Sequence, residues 1–200
     1  MMPETLYLAR HGETEWNVRG VFQGTTDIPL NRRGRQQAME LGVRLFGLET
    51  GITRVYTSRL KRARETGSIV AECLGVPCDV MDGLHEVGLG EWEGISYRDA
   101  RSRDPELFER WENEKRHTRP PKGETYDEAI QRLIPAISSL AHRESGNTLV
   151  ITHSACIHTI LAELNGTPLE TMFCDYHTPN AQPIALDAAR VRGRWPLTKI

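Results

Sequence analysis

Leu6-Tyr7-Leu8-Ala9 is an apolar run of strand length, and it breaks at once into Arg10-His11-Gly12. A continuous apolar strand belongs in a sheet covered on both faces, and the crevice beyond the carboxyl ends of such strands is where ligands bind. The same succession returns twice: Val55-Tyr56-Thr57 leads into Ser58 to Arg62, and Leu149-Val150-Ile151-Thr152 leads into His153-Ser154. Three polar clusters at three strand ends predict one pocket.

Between these runs lie helical patterns. Gly34 to Phe46 carries Ala38, Leu41 and Leu45 at helical spacing, and Lys61 to Leu74 does the same before Gly75 and Pro77 stop it. Glu124 to His142 places Ile130, Leu133, Ile134, Ile137 and Leu140 on one face, and Ala155 to Leu164 closes near Asn165-Gly166. A short strand is expected through Val80, with edge strands at Ile184-Ala185-Leu186 and Trp195-Pro196-Leu197. Alternation of this kind predicts a single α/β domain over residues 1–200, a mostly parallel central sheet with helices on both faces. Residues 84–121 lack a strand signal and are expected to form a mostly helical lid insertion.

With 200 residues, 38% hydrophobic and 26% charged, the chain falls among globular proteins with one core. A formal charge of -2 argues against gripping nucleic acid through an overall basic field. No run approaches the roughly 20 apolar residues of a membrane span, and Met1 to Arg10 lacks the pattern of a signal peptide. We therefore expect a cytoplasmic protein with no nucleic-acid or membrane partner. Cys73, Cys78, Cys156 and Cys174 contain no CxxC pair, which suggests neither zinc nor disulfides. His153 and His158 are five apart and would not share a helical face, so no metal is expected.

Histidines and arginines converging at strand ends suit an anionic phosphoryl group. Guanidinium offers forked donors that stay charged, and a neutral imidazole can attack phosphorus through one nitrogen while its other N–H is held.

The longer run Arg10-His11-Gly12-Glu13-Thr14-Glu15-Trp16-Asn17 resembles the RHGxTxxN signature of the histidine phosphatase superfamily, which includes the cofactor-dependent phosphoglycerate mutases. Gln23-Gly24, Asp27-Ile28-Pro29-Leu30-Asn31, Gly34 and Gln37-Ala38 follow at that family's spacing. Ser58-Arg59-Leu60-Lys61-Arg62-Ala63 with Thr66 resembles its SxLxRAxxT segment, and Leu84-His85-Glu86 with Gly90-Glu91-Trp92-Glu93-Gly94 resembles its LxExxxGxWEG loop. Gly123-Glu124-Thr125 and Thr152-His153 continue the series, so the resemblance spans about residues 5 to 186.

Carried over position by position, the resemblance implies His11 as nucleophile, Arg10, Arg62 and His153 as ligands of the phosphoryl oxygens, and Glu86 as proton donor. Asn17, Gln23 and the Gly24 backbone would line the phosphate pocket. One departure stands out: the family's Ser-His-Gly-Gly is here Thr152-His153-Ser154-Ala155, which leaves Ser154 to donate from its N–H or hydroxyl. Read from the residues alone, Arg59, Lys61 and Arg64 form a solvated face, and so do Arg98, Arg101, Arg103, Lys115, Arg116 and Arg119 in the lid. Glu124 reads as a first-turn carboxylate, Trp92 and Trp111 as lid packing, and Cys156 as a packed thiol.

The expected function is a metal-independent phosphomonoesterase that needs no cofactor and passes through a phosphohistidine on a small phosphorylated metabolite. The Gly90 to Gly94 pattern resembles the phosphatase branch more than the mutases, which tend to carry a longer insertion. A phosphoglycerate mutase or a phospholigand-binding module with little turnover are the alternatives.

Overall fold

The computed structural model describes residues 2–197. In chain order its elements are β1 (Thr5–Arg10), α1 (Glu15–Val18), α2 (Arg32–Gly47), β2 (Ile52–Thr57), α3 (Lys61–Leu74), β3 (Cys78–Val80), α4 (Tyr97–Arg103), α5 (Pro105–Asn113), α6 (Tyr126–Arg143), β4 (Asn147–Thr152), α7 (Ser154–Asn165), α8 (Met172–Asp175), β5 (Pro183–Asp187) and α9 (Ala188–Arg194). The five strands form one sheet in the order β3-β2-β4-β1-β5, parallel except for β5, which runs antiparallel to β1.

Alternation along the strands sorts side chains into two cores. Leu6, Leu8, Val150 and Leu186 face α6, α7 and α9 and pack on Leu133, Ile137, Ile157, Ile160 and Val191. Ala9, Leu149, Ile151 and Val55 face the opposite way, onto Leu41 and Leu45 of α2 and Ala63 and Val70 of α3. Each large side chain so buried stabilises the fold by about 1.5–3 kcal/mol.

The helices begin and end where their capping chemistry says they should. Asn31 accepts the Gly34 N–H at the start of α2, and Thr125 and Glu128 exchange side-chain-to-backbone bonds at the start of α6. Gly75 and Gly166 close α3 and α7 with φ of 69° and 72°.

Residues between β3 and α6 form a 3-10 turn at Gly90–Trp92 and the helices α4 and α5. They close over a third core of Trp92, Phe108, Trp111 and Tyr126, joined by Ala162 and Met172 from the main body. Trp92 and Trp111 are lid packing, their rings set edge to face at 5.3 Å.

Two expectations are corrected here. Trp195-Pro196-Leu197 is not a strand: α9 runs to Arg194, Trp195 caps it and packs against the α6 side of the sheet, and its carbonyl accepts the Ser138 hydroxyl at 2.7 Å. The apolar triplet serves that packing, and Pro196 has no N–H for a ladder. Glu124 is not in the first turn of a helix, since α6 starts at Tyr126 with Thr125 as its cap.

Candidate active site

The sheet register assembles the site. Arg10 lies opposite Thr152 and Thr57 opposite Ile151, so the residues that follow these strands emerge side by side. The ladder continues one step further: the His11 N–H donates to Thr152 O at 3.0 Å and the Ser58 N–H to Ile151 O at 3.2 Å. His11 and His153 end with ring centroids 5.2 Å apart, both buried.

The His11 tautomer follows from its contacts. Nδ1 is 2.7 Å from the Gly12 carbonyl, which can only accept, so Nδ1 carries the proton. Nε2 is left with its lone pair, and Arg62 Nε donates to it at 3.2 Å. Burial, and then the charges of Arg62 and Arg10, push the His11 imidazole well below the ordinary histidine value, with the Gly12 bond opposing. The ring is neutral at neutral pH, as a nucleophile must be. Gly12 is also tightly packed: a Cβ there would sit 2.3 Å from the Gly34 carbonyl oxygen, so α2 starts pressed against the His11 turn.

Arg62 is fully buried, delivered by the first turn of α3. Its Nη1 and Nη2 each donate at 2.7 Å to Thr26 O and Gly24 O, clamping the 23–26 loop across the site. The same loop is held from outside by Glu93, whose carboxylate accepts from the Thr25 and Thr26 N–H groups. Arg10 gives Nη1 to Thr178 O at 3.3 Å, while its buried Nε has no partner among the described residues.

His153 Nε2 lies 2.6 Å from the Ser58 hydroxyl, which already accepts the Leu60 N–H. Ser58 can donate its own proton to Nε2 or accept one from it on its second lone pair, and donation places the His153 N–H on the opposite nitrogen. That nitrogen, Nδ1, is buried without a partner among the described residues. Burial, Arg62, His11 and Arg10 push His153 well below its ordinary value too, which favours the neutral ring.

Glu86 is fastened to the start of α7. Its carboxylate accepts from the N–H groups of Ala155 at 3.2 Å, Cys156 at 3.3 Å and Val87 at 3.0 Å. At the Thr152-His153-Ser154-Ala155 departure, the Ala155 and Cys156 amides at the helix N-terminus are turned to Glu86. Cys156 is buried, and its thiol donates to the His85 carbonyl at 3.0 Å, so it is packed as expected.

A cleft of about 430 Å³ opens above, lined on its inner side by Arg10, Gln23, Gly24, Glu86, Ser154 and Ala155. Gln23 and Asn17 both commit their amide oxygens to Thr14, which leaves the NH2 groups as the free donors. Ser154 pairs with the Thr178 hydroxyl at 3.0 Å. Thus the structure gathers His11, His153, Arg10, Arg62 and Glu86, with Gln23, Gly24 and Ser154 on the wall and Asn17 in the adjoining turn. Among the described residues no group of three or more His, Cys, Asp or Glu is placed to hold a metal ion, and no helix is long and apolar enough to cross a membrane.

Thr178, Asn180 and Arg132 escape a sequence reading, and Glu124 takes a bracing role that its first-turn reading did not give. Thr178 and Asn180 sit in the loop before β5, and Asn180 Nδ2 donates to His11 O at 2.8 Å. Because β5 is antiparallel, its amino-terminal loop lands at the carboxyl ends of the other strands, which a parallel-sheet reading does not anticipate. Glu124 and Arg132 brace the Glu86 loop: Glu124 accepts the Gly88 N–H, and Arg132 donates to Glu124 and to the carbonyls of Gly83, His85 and Glu86.

The solvated-face reading of the lid cations is corrected at Lys115, which is buried in the cleft. Arg116 and Arg119 keep to the surface, in ion pairs with Asp127 and Glu163 and with Glu128.

Fold and site together set two histidines and two arginines at the carboxyl ends of the strands of an α/β sheet, and the comparisons give the family of that frame. The family model "Histidine phosphatase superfamily (branch 1)" matches residues 6–197. Adenosylcobalamin/alpha-ribazole phosphatase of Escherichia coli K12 is 33% identical over 171 residues, 84% of this chain and 82% of that one. A chicken 6-phosphofructo-2-kinase/fructose-2,6-bisphosphatase is 37% identical over 179 residues, 88% of this chain, and the match spans 36% of that longer relative. Among solved structures, Bacillus stearothermophilus YhfR superposes with a TM-score of 0.81 at 35% identity, covering 90% of this chain and 89% of that one. The alpha-ribazole phosphatase of Shigella flexneri gives 0.78 at 30% identity, covering 92% and 90%. The chain belongs to the histidine phosphatase superfamily, branch 1.

Proposed function

We propose that the chain is a phosphomonoesterase that hydrolyses a small phosphorylated metabolite through a phosphohistidine on His11, without a metal. The observation that carries this reading is the His11 tautomer: Nδ1–H is held by the Gly12 carbonyl, so the Nε2 lone pair is the one available to attack. Relatives named as phosphatases at 30% identity and above support hydrolysis as the outcome.

In the first step Nε2 forms a bond to phosphorus while the bond from phosphorus to the leaving oxygen breaks. Arg10, Arg62 and the His153 Nδ1–H stabilise the charge on the three non-bridging oxygens. Glu86 acts as the general acid and gives its carboxyl proton to the leaving oxygen. In the second step a water molecule returns a proton to Glu86 and attacks phosphorus. The N–P bond breaks, inorganic phosphate departs, and His11 is neutral again.

The test is release of inorganic phosphate from p-nitrophenyl phosphate in excess chelator, by the native chain and by His11→Ala. Activity in the native chain alone supports the reading. Dependence on added metal, or activity that survives His11→Ala, contradicts it.

A further inference from the structure

The outer half of the cleft has a composition unlike the inner half. Its walls are aromatic, formed by Phe22 and Trp111 from the lid side and Phe173 from α8. Trp111 is braced by Phe22 and Trp92 in edge-to-face contacts, which fixes the plane of that wall.

Into this chamber the lid brings one cation. Lys115 is 5% exposed, and its ammonium lies 4.9 Å over the Trp111 ring. It makes a single hydrogen bond, to the Glu112 carbonyl at 2.9 Å, and no ion pair among the described residues. The Glu112 carboxylate is taken by the Tyr97 hydroxyl instead. The ammonium has three N–H donors, and the two not bonded to the Glu112 carbonyl belong to a group that lines the cleft, where a ligand can accept them. Burial holds Lys115 below the ordinary lysine value, against the opposing pull of Glu112 and Glu170, as expected of a desolvated group still short of partners.

The charge balance limits what that ligand can be. Among the described residues Lys115 is the one cation lining the outer chamber, against two lining carboxylates, Glu112 and Glu170. A second phosphate dianion placed there would meet no net attraction. Flat apolar walls with one charged donor suit an uncharged ring bearing an acceptor atom.

We propose that Lys115 is a specificity-determining residue that donates to an acceptor on a planar, uncharged ring carried by the leaving group, and that the chamber turns away bisphosphorylated substrates. The proposal rests on the phosphomonoesterase reading of the same site and names its substrate class.

The test compares kcat and KM for inosine 5′-monophosphate, ribose 5-phosphate and ribose 1,5-bisphosphate, with p-nitrophenyl phosphate alongside. The first two share phosphate and sugar and differ by the ring. The native chain should prefer the nucleotide to ribose 5-phosphate by about tenfold or more in kcat/KM, the scale of a charged hydrogen bond, and should gain nothing from the second phosphate. Lys115→Met should remove most of that preference through KM. Phe173→Ala, at a partly exposed wall position, should lower it independently and serves if the lysine variant does not fold. Equal use of nucleotide and ribose 5-phosphate, preference for the bisphosphate, or unchanged preference in both variants overturns the proposal while hydrolysis itself stands. Release of phosphate from none of the four compounds overturns the phosphomonoesterase reading and the proposal with it.

Discussion

Arg62 Nε donates to His11 Nε2 at 3.2 Å, so the lone pair proposed as the nucleophile is held by the guanidinium proposed to bind the phosphoryl oxygens. Under the proposed mechanism, arrival of a phosphoryl group would exchange partners: its oxygens would take the Arg62 donor, and the freed lone pair would face phosphorus. The other two Arg62 nitrogens stay on Gly24 O and Thr26 O, so the guanidinium does not have to move far to make the exchange.

Arg62→Lys should therefore lose more than a charge comparison suggests. Lysine has no fork to hold two carbonyls while a third donor serves the site. We expect kcat to fall roughly 10²- to 10³-fold, the scale of losing one transition-state donor. Thermal melting should fall as well, because the 23–26 loop loses its clamp. Steady-state kinetics and a melt check both, and near-native kcat would count against the clamp.

Glu86→Gln separates acid catalysis from phosphate binding. A proton donor matters most when the leaving alkoxide is basic, so the variant should slow alkyl phosphates by roughly 10²- to 10⁴-fold and p-nitrophenyl phosphate far less. Equal slowing across leaving groups would remove Glu86 from the acid role and leave it as an anchor for the start of α7.

Two buried neutral histidines make the fold sensitive to acid. His11 and His153 both bind protons less readily folded than unfolded. Their contribution to stability is thus present above the unfolded value of about 6.5 and is lost as pH falls from there toward the depressed folded values. Each contributes a slope approaching roughly 1.4 kcal/mol per pH unit in that window. Urea midpoints at pH 7.5, 6.5 and 5.5 should fall steeply at the acid end, and His153→Gln should flatten the fall. An unchanged slope would mean that His153 is not buried neutral.

Gly34 marks where α2 touches the His11 turn, since a Cβ there would lie 2.1 Å from the Glu13 carbonyl oxygen. Gly34→Ala should cost about 1–3 kcal/mol through overpacking. Gly47, at the end of the same helix with nothing within 4 Å of an added Cβ, should gain a few tenths of a kcal/mol on replacement by alanine. Comparable melting temperatures for the two variants would contradict the close approach.

How much of this was legible in the sequence depends on how local each signal is. The strand-then-cluster pattern at Ala9-Arg10-His11 and Thr152-His153 was visible because residues that end parallel strands converge by topology alone. Lys61–Leu74 matched the expected helix because an apolar face that includes Ala63 and Val70 and a glycine stop are both local. Thr178 and Asn180 were hidden because their role depends on β5 running antiparallel, which no nearby residue encodes. Lys115 was misread for the opposite reason: charge suggested solvent, while the side chain lies buried with its ammonium over Trp111, four residues earlier. Trp195-Pro196-Leu197 shows the same limit, since an apolar triplet does not say whether it joins a ladder or packs on a helix.

The most direct test of the central claim is to mix the native chain and His11→Ala with ³²P-labelled substrate, quench within milliseconds, and divide each sample between alkali and acid. The account predicts label on the native protein that survives alkali and is lost in acid, as a phosphohistidine is, and none on His11→Ala. Turnover without any labelled protein, or equal labelling of the variant, would contradict it.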